Sequence, residues 1–390
     1  MTGHEEGSRE SGLPIIGIDA SRANRSRKTG VEWYSYRLIE EMKRTAPPGV
    51  RIILYSAEPL RGELARLPEG WESRVLSWPP RRLWTAARLS WEMFKRPPDL
   101  LFVPAGALPL VLPLRSVTTL HDVGFVSCPE AYGRGEAVFQ RWAAGRAARL
   151  ATAILTVSEF SRREITKHFP AAAGRISVTP LAFDPHRFPM EERGETLSAI
   201  GRHRLRQPYL LFVGRLEEKK GIDVLLKAFR IFHDRHAGQA GARQLALVGS
   251  PGRGYAEARQ GLSGSLADGF VREVGYAPDS DLPSLYAGAE ALVFPSRHEG
   301  FGLPVLEAFA SRIPVILSRT ASLPEVAGEA AEYCDPESPE SLAAAMVRLM
   351  DSPERREGLI ADGEERLRDF SWSRTAEGTW AVLKSALPQR

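Results

Sequence analysis

The feature that most constrains this chain is a short apolar run followed by a helical stretch, repeated along most of its length. "LPIIGIDA" is an apolar run closed by turn residues, "VEWYSYRLIEEMKRTA" follows with helical spacing, and "VRIILYSAE" is again strand-like. "PDLLFVPA", "SVTTLHDV", "ATAILTVSE" and "RISVTPLA" extend the series, with helical stretches such as "GEAVFQRWAAGRAARLA" between most of them. The segment 191–207, "EERGETLSAIGRHRLRQ", is polar and without a strong period, and reads as a linker. The alternation then restarts with "PYLLFVGR", "QLALVGS", "FVREVGY", "ALVFPSR", "IPVILSR" and "AAEYCDP". Apolar strands alternating with helices imply parallel sheets covered on both faces. The expected fold is α/β: two doubly wound Rossmann-like domains, with the site in the cleft between them, because ligands of such sheets sit beyond the strands' carboxyl ends.

The expected boundaries are a disordered tail at 1–13, a first domain at 14–190, the linker at 191–207, a second domain at 208–372 and a closing segment at 373–390. A chain of 390 residues exceeds a single ordinary core. Two cysteines, Cys128 and Cys334, supply neither a disulfide framework nor zinc spacing. No apolar run approaches the roughly 18–20 residues that span a bilayer. The start lacks a basic segment followed by an apolar core, so a cytoplasmic address is expected. Charge is uneven. Residues 1–190 hold 27 Lys+Arg against 19 Asp+Glu, whereas residues 191–390 hold 25 against 29. A basic half beside an acidic half suits an anionic ligand or surface for the first half.

Two stretches carry candidate chemistry. In "RHEGFGLPVLEAF" a strand ends, a glycine-rich turn follows, and a helix begins near Pro304. The amides of Gly300, Phe301, Gly302 and Leu303 then face outward with the helix dipole behind them, an arrangement that binds anions. Glu299 precedes the turn and Glu307 lies about one turn inside the helix; the same pattern also suits an ordinary acidic helix start. In "LLFVGRLEEKKGIDVLL", Arg215 and Lys220 follow a strand end and could clamp a diphosphate. Glu217 and Glu218 could instead neutralise both, and Lys219 competes for the lysine role.

"VGRLEEKKG", "LVGS", "GYAPDSDLPSLYAGAEALVFPSRHEGFGLPVLEAFAS" and "ASLPEVAGEAAEYCDP", in order over roughly residues 205–345, resemble the C-terminal half of the retaining family 4 glycosyltransferases (glycosyl transferases group 1) of GT-B fold. "GIDASRANRSRKTGVEWYSYRLIEE", "LHDVGF" and "TVSEFSRREI" resemble its amino half more loosely, and "FSWSRTAEGTWAVLKSAL" its closing helix, which in the family crosses back to the first domain. The resemblance implies a nucleotide-diphosphate sugar donor and no cofactor. Glu299 would bond hydroxyls of the donor sugar, the amides from Gly300 to Leu303 would bind the diphosphate, and Glu307 would hold the ribose. Arg215 and Lys220 would neutralise the leaving diphosphate. Gly30 would approach the donor from the other domain, His121 would face the transferred sugar with Asp122 orienting its ring, and Tyr276 would border the base. "TGVEWYSYRL" and "LHDVGF" resemble bacterial mannosyltransferase-like members, which points to GDP-mannose. The tract "VTPLAFDPHRF" lacks the Asn-Gly turn of many members.

The paired aspartates Asp279 and Asp281 resemble a manganese motif of another glycosyltransferase fold, but Asp281 stands two residues before Pro283, where a helix cap is expected. No metal is expected. On the acceptor side, "PPRRLWTAARLSWEMFKRPP" places Trp84, Ala87, Trp91 and Phe94 at helical spacing among Arg81, Arg82, Arg88, Lys95 and Arg96. Such a helix suits either an anionic membrane surface at the inner face of the cell membrane or packing of its aromatics on the core. With Arg141, Arg146 and Arg149 on a second basic helix, a saccharide or lipid-linked acceptor of cell-surface polysaccharide or glycolipid synthesis is expected, and no nucleic acid. The competing readings are a nucleotide-sugar epimerase of the same architecture and a catalytically silent binding subunit.

Overall fold

The computed structural model describes residues 12–26, 28–78, 83–185, 187–188, 193–236, 243–260 and 269–388. Residues 1–11 of the expected tail, and Arg81 and Arg82, lie outside them. Among the described residues, seven strands form the first sheet: β1 Ile15–Asp19, β2 Arg51–Ser56, β3 Trp71–Val75, β4 Leu100–Val103, β5 Ser116–Thr119, β6 Ala153–Thr156 and β7 Ile176–Val178. Their order is β3-β2-β1-β4-β5-β6-β7, with every pairing parallel. Six form the second: β8 Tyr209–Val213, β9 Gln244–Val248, β10 Val271–Gly275, β11 Ala291–Phe294, β12 Val315–Ser318 and β13 Glu332–Cys334. Their order is β10-β9-β8-β11-β12-β13, again parallel throughout.

The central strands are apolar because helices cover both of their faces. β4, β9, β11 and β12 are buried at every residue, and each large apolar side chain so enclosed contributes about 1.5–3 kcal/mol. β3 was not legible as a strand. In its "WESRV" only Trp71 is buried, the other four residues being half-buried or exposed at the sheet edge, so it carries no apolar run. Between the sheets, residues 193–202 of the linker candidate form a helix, Arg193–Arg202, with Ala199 and Ile200 buried. The closing helix Trp372–Ala386 packs on the first domain, against the helix Gly30–Arg44 and β4 to β6. There the Thr375 hydroxyl donates to the Pro180 carbonyl at 2.7 Å.

Trp84 belongs to the core. It opens a π-helical turn, Trp84–Leu89, is 4% exposed, and its indole N–H donates to the Leu76 carbonyl at 2.7 Å. A buried indole with its N–H satisfied is an anchor of the domain, which removes it from any surface role. Trp91 and Phe94, on the helix Ser90–Lys95 that follows, are 54% and 70% exposed.

Candidate active site

Two loops of the second domain and one strand end of the first converge. β11 ends at Phe294, and the helix Leu303–Ala310 begins after Gly302, whose φ of +108° only glycine adopts readily. Pro304 sits in the first turn of that helix. The loop between is fastened from both sides. The Ser322 hydroxyl donates to the carbonyls of Glu299 (2.9 Å) and Phe301 (2.8 Å). From the other domain, Ser158 donates to the Gly300 carbonyl at 2.7 Å and Ser161 to the same oxygen at 3.2 Å. A Cβ on Gly300 would lie 2.9 Å from the His121 carbonyl and 2.9 Å from the Asp122 Cβ, so the two domains meet here at backbone distance. With the carbonyls engaged, the amides of Gly300, Phe301, Gly302 and Leu303 have no acceptor among the described residues. They are left as unpaired donors at a helix N-terminus.

Lys220 closes a 3-10 turn, Glu218–Lys220, ahead of the helix Ile222–Arg235. Gly221 makes the approach possible: its φ is +71°, and a Cβ there would fall 2.1 Å from the Pro295 carbonyl oxygen. Lys220 Nζ ion-pairs with Glu299 Oε1, with side chains 17% and 11% exposed. Lys219 is turned the other way, toward the Tyr132 hydroxyl at 3.1 Å and that ring at 5.0 Å, across the domain seam. Of the expected neutralising acids, Glu217 stands 3.6 Å from Arg215 Nε and 4.0 Å from Lys219 Nζ. Arg215 remains 67% exposed.

Glu307 is buried within its helix. The Tyr286 hydroxyl donates to Oε2 at 2.9 Å and Arg187 Nη1 to Oε1 at 3.3 Å. Burial raises its pKa, against the pull of Arg187 and the Tyr286 bond. His121 follows β5, with its carbonyl bonded by the Ser161 hydroxyl at 3.0 Å. Its ring lies beside the Pro104 carbonyl and stacks edge-on to Tyr34 at 4.6 Å, while Nε2 is enclosed without a partner among the described residues. A ring protonated at Nδ1 would leave Nε2 as an acceptor. Burial pushes the pKa of His121 down to about 4, so the ring is neutral at pH 7. Asp122 makes no hydrogen bond to that ring among the described residues; its Oδ1 accepts from the Gly124 amide at 2.8 Å, and its charge acts on the imidazole. Burial would raise the pKa of Asp122, but Lys219, the Gly124 amide, His298 and Lys220 outweigh it and the net shift is downward.

Among the remaining expected residues, Gly30 is the first residue of its helix, and a Cβ there would meet nothing within 4 Å, so any demand for glycine comes from a ligand. Tyr276 follows β10 and is 53% exposed. Asp281 does precede a helix, Leu282–Ala287, but its carboxylate makes no cap bond. It pairs with Arg202 and His203, each at 2.8 Å, while Asp279 pairs with Arg187 at 2.7 Å. Among the described residues no cluster of three or more His, Cys, Asp or Glu could hold a metal ion. Sequence reasoning missed Arg187, Tyr286 and Ser322. Only Arg187 left a signal, lying in the one tract that departs from the family pattern.

The family described as Glycosyl transferases group 1 matches residues 195–366, and Glycosyltransferase Family 4 matches residues 28–187. O-antigen chain mannosyltransferase B of Escherichia coli is 34% identical over 273 residues, 69% of this chain and 70% of that protein. The chain is a family 4 glycosyltransferase. This glycosyltransferase is also similar to the D-inositol 3-phosphate glycosyltransferase of Acidothermus cellulolyticus, at 32% identity over 58% of this chain. The MMP alpha-(1->4)-mannosyltransferase of Mycolicibacterium hassiacum is 32% identical over 62% of it. The matches span about half the length of these two relatives, 52% and 56%. Among solved structures, sucrose-phosphate synthase from Thermosynechococcus elongatus superposes with a TM-score of 0.70 at 20% identity, covering 95% of this chain and 98% of that one. WaaG, a glycosyltransferase involved in lipopolysaccharide biosynthesis, gives 0.68 at 15% identity, covering 94% and 98%. The fold of the glycosyltransferase is thus GT-B.

Proposed function

We propose that the enzyme transfers mannose from GDP-mannose to a saccharide or lipid-linked acceptor, with retention at the anomeric carbon and without a metal ion. The observation that carries this reading is the enclosed Lys220–Glu299 pair beside the open amide cradle of Gly300–Leu303. In it the cradle takes the diphosphate, Glu299 accepts from donor-sugar hydroxyls, and Glu307 accepts from the ribose. Lys220 and Arg215 neutralise charge that grows on the diphosphate as the glycosidic bond breaks, so they favour the transition state over the bound donor. Both glutamates hold binding positions, which leaves neither as a nucleophile for a double displacement. The reaction is then a front-face substitution. The acceptor oxygen bonds the anomeric carbon, the sugar–phosphate bond breaks on the same face, and the acceptor proton passes to the departing phosphate oxygen. His121, neutral with Nε2 as an acceptor, receives a hydrogen bond from a hydroxyl of the transferred sugar near its reacting carbon. Mannose is supported by the names of the E. coli and M. hassiacum relatives.

A lipid-linked acceptor and peripheral membrane contact are supported by one face of the first domain. Trp91, Phe94, Leu110, Leu114, Phe139 and Trp142 are all exposed there. Hydrogen bonds tie their elements together: the Val111 amide donates to Ser90 Oγ at 3.2 Å, and Arg146 donates to the carbonyls of Leu108 (3.2 Å) and Leu110 (2.7 Å). Lys95 lies over Trp91 at 5.0 Å, and Arg96, Arg141 and Arg149 are exposed at the end of the Trp91 helix and on the helix of Phe139 and Trp142. Aromatic and basic side chains interleaved in this way suit an anionic bilayer surface. No helix among the described residues is long and apolar enough to cross a membrane. The reading is tested by incubating the enzyme with GDP-mannose, UDP-glucose and ADP-glucose, each with and without lipid extract. GDP-mannose consumed only with an acceptor fits; conversion of a donor on its own would indicate an epimerase.

A further inference from the structure

Arg187 lies on the segment that leaves the first sheet after β7, yet its guanidinium reaches into the second domain. Nη2 meets Asp279 Oδ1 at 2.7 Å and Nη1 meets Glu307 Oε1 at 3.3 Å. Its place is fixed from both domains. The Arg187 amide bonds the Asp184 carbonyl at 3.0 Å, and Asp184 is ion-paired with Arg37 of the helix Gly30–Arg44. The guanidinium lies 5.4 Å from the Trp33 ring of that same helix and 5.5 Å from the ring of Phe188, which packs edge-on against Tyr286. Four contacts from two domains converge on one cation whose side chain is 19% exposed.

We propose that Arg187 is a positioning residue of the nucleotide subsite: it holds Glu307 as an aimed carboxylate and leaves it two vacant acceptor positions for a vicinal pair of ribose hydroxyls. This rests on the ribose role given to Glu307 above. A carboxylate offers about four lone-pair positions. Arg187 takes one on Oε1 and Tyr286 one on Oε2, so one remains on each oxygen, the arrangement a cis-diol requires. The groups acting on Glu307 are Arg187, Tyr286 and Asp279, and Arg187 is the only cation among them. Without it, burial and the Asp279 charge favour the protonated acid, which has lost an acceptor position. Because the cation comes from the first domain's side, the nucleotide subsite is complete only when the domains face each other as they do here.

The test measures GDP affinity by calorimetry between pH 5.5 and 8.5 for the full chain and for R187Q, R187K and E307Q, with 2′,3′-dideoxy-GDP as the ribose control. At pH 7, R187Q should bind GDP about tenfold more weakly and regain affinity as pH rises and Glu307 ionises. R187K should restore most of the affinity at every pH. Neither variant should alter the already weak binding of the dideoxy nucleotide. R187Q binding as tightly as the parent with an unchanged pH profile overturns the inference, as does tighter binding, which would make Arg187 a plug in the ribose position. If E307Q binds GDP normally and the parent ignores the missing hydroxyls, the ribose role of Glu307 itself fails. If E307Q loses affinity while R187Q does not, only the role of Arg187 fails. Should R187Q not fold, R187K and R187M carry the same comparison.

Discussion

Lys220 and Glu299 stand 79 residues apart and form an ion pair that joins the loop after β8 to the loop after β11. A pair this enclosed is costly to break from one side, because the partner is left desolvated and unpaired. The pair also keeps both charges in place at the two loop ends, as the proposed donor site requires.

Replacing Lys220 with alanine removes the cation proposed to neutralise the departing diphosphate. Turnover per encounter, kcat/KM, should fall by about two to three orders of magnitude, the size of effect seen when a preorganised donor is lost. Steady-state kinetics decide it, and unchanged values would take Lys220 out of the site.

Glu307→Ala should weaken GDP even with no sugar attached, by about tenfold or more, because two hydroxyl acceptors disappear together. Calorimetry with GDP and with GDP-mannose separates the cases. A loss confined to the sugar donor would contradict the ribose role.

Two glycines set the approach of the loops. Gly221→Ala places a methyl 2.1 Å from the Pro295 carbonyl oxygen at a φ of +71°, and should cost at least about 1–3 kcal/mol of stability. Gly300→Ala meets the first domain instead, at the His121 carbonyl and Asp122. It should lower activity more than it lowers the melting temperature, since what it props apart is the seam. Calorimetric melting alongside kinetics distinguishes the two effects.

His121 gives a pH signature. Its pKa falls from 6.5 unfolded to about 4 folded, so between those values the unfolded chain binds more protons than the folded one. Its contribution to stability is complete above pH 6.5 and is lost as pH falls toward 4. Urea unfolding from pH 4 to 7 should show His121→Gln with a shallower dependence than the parent over that window. Equal slopes would mean the ring is not buried neutral.

Trp91→Ala with Phe94→Ala should cut co-sedimentation with vesicles containing phosphatidylglycerol by about tenfold while leaving transfer to a water-soluble acceptor intact, each aromatic being an interfacial anchor. Binding that persists would place the bilayer contact elsewhere, and a parent that does not co-sediment would remove it.

The sequence by itself determined the two parallel sheets, because strands covered on both faces must be apolar along their whole length, and that run survives in one dimension. It also determined the local chemistry of the Gly300–Pro304 helix start, which depends on neighbours a few residues away. Only the tertiary structure decided the rest. The edge strand "WESRV" hides its strand character because only its first residue is buried. Trp84 and Trp91 share one amphipathic stretch, and packing alone sends the first inward and leaves the second exposed. Lys219 and Lys220 are adjacent and chemically alike, yet the turn ending at Gly221 aims one at Tyr132 and the other at Glu299. Arg187 meets Glu307 across 120 residues and two domains. No local pattern encodes such a contact, since it exists only once both sheets have folded and the segment between them is in place.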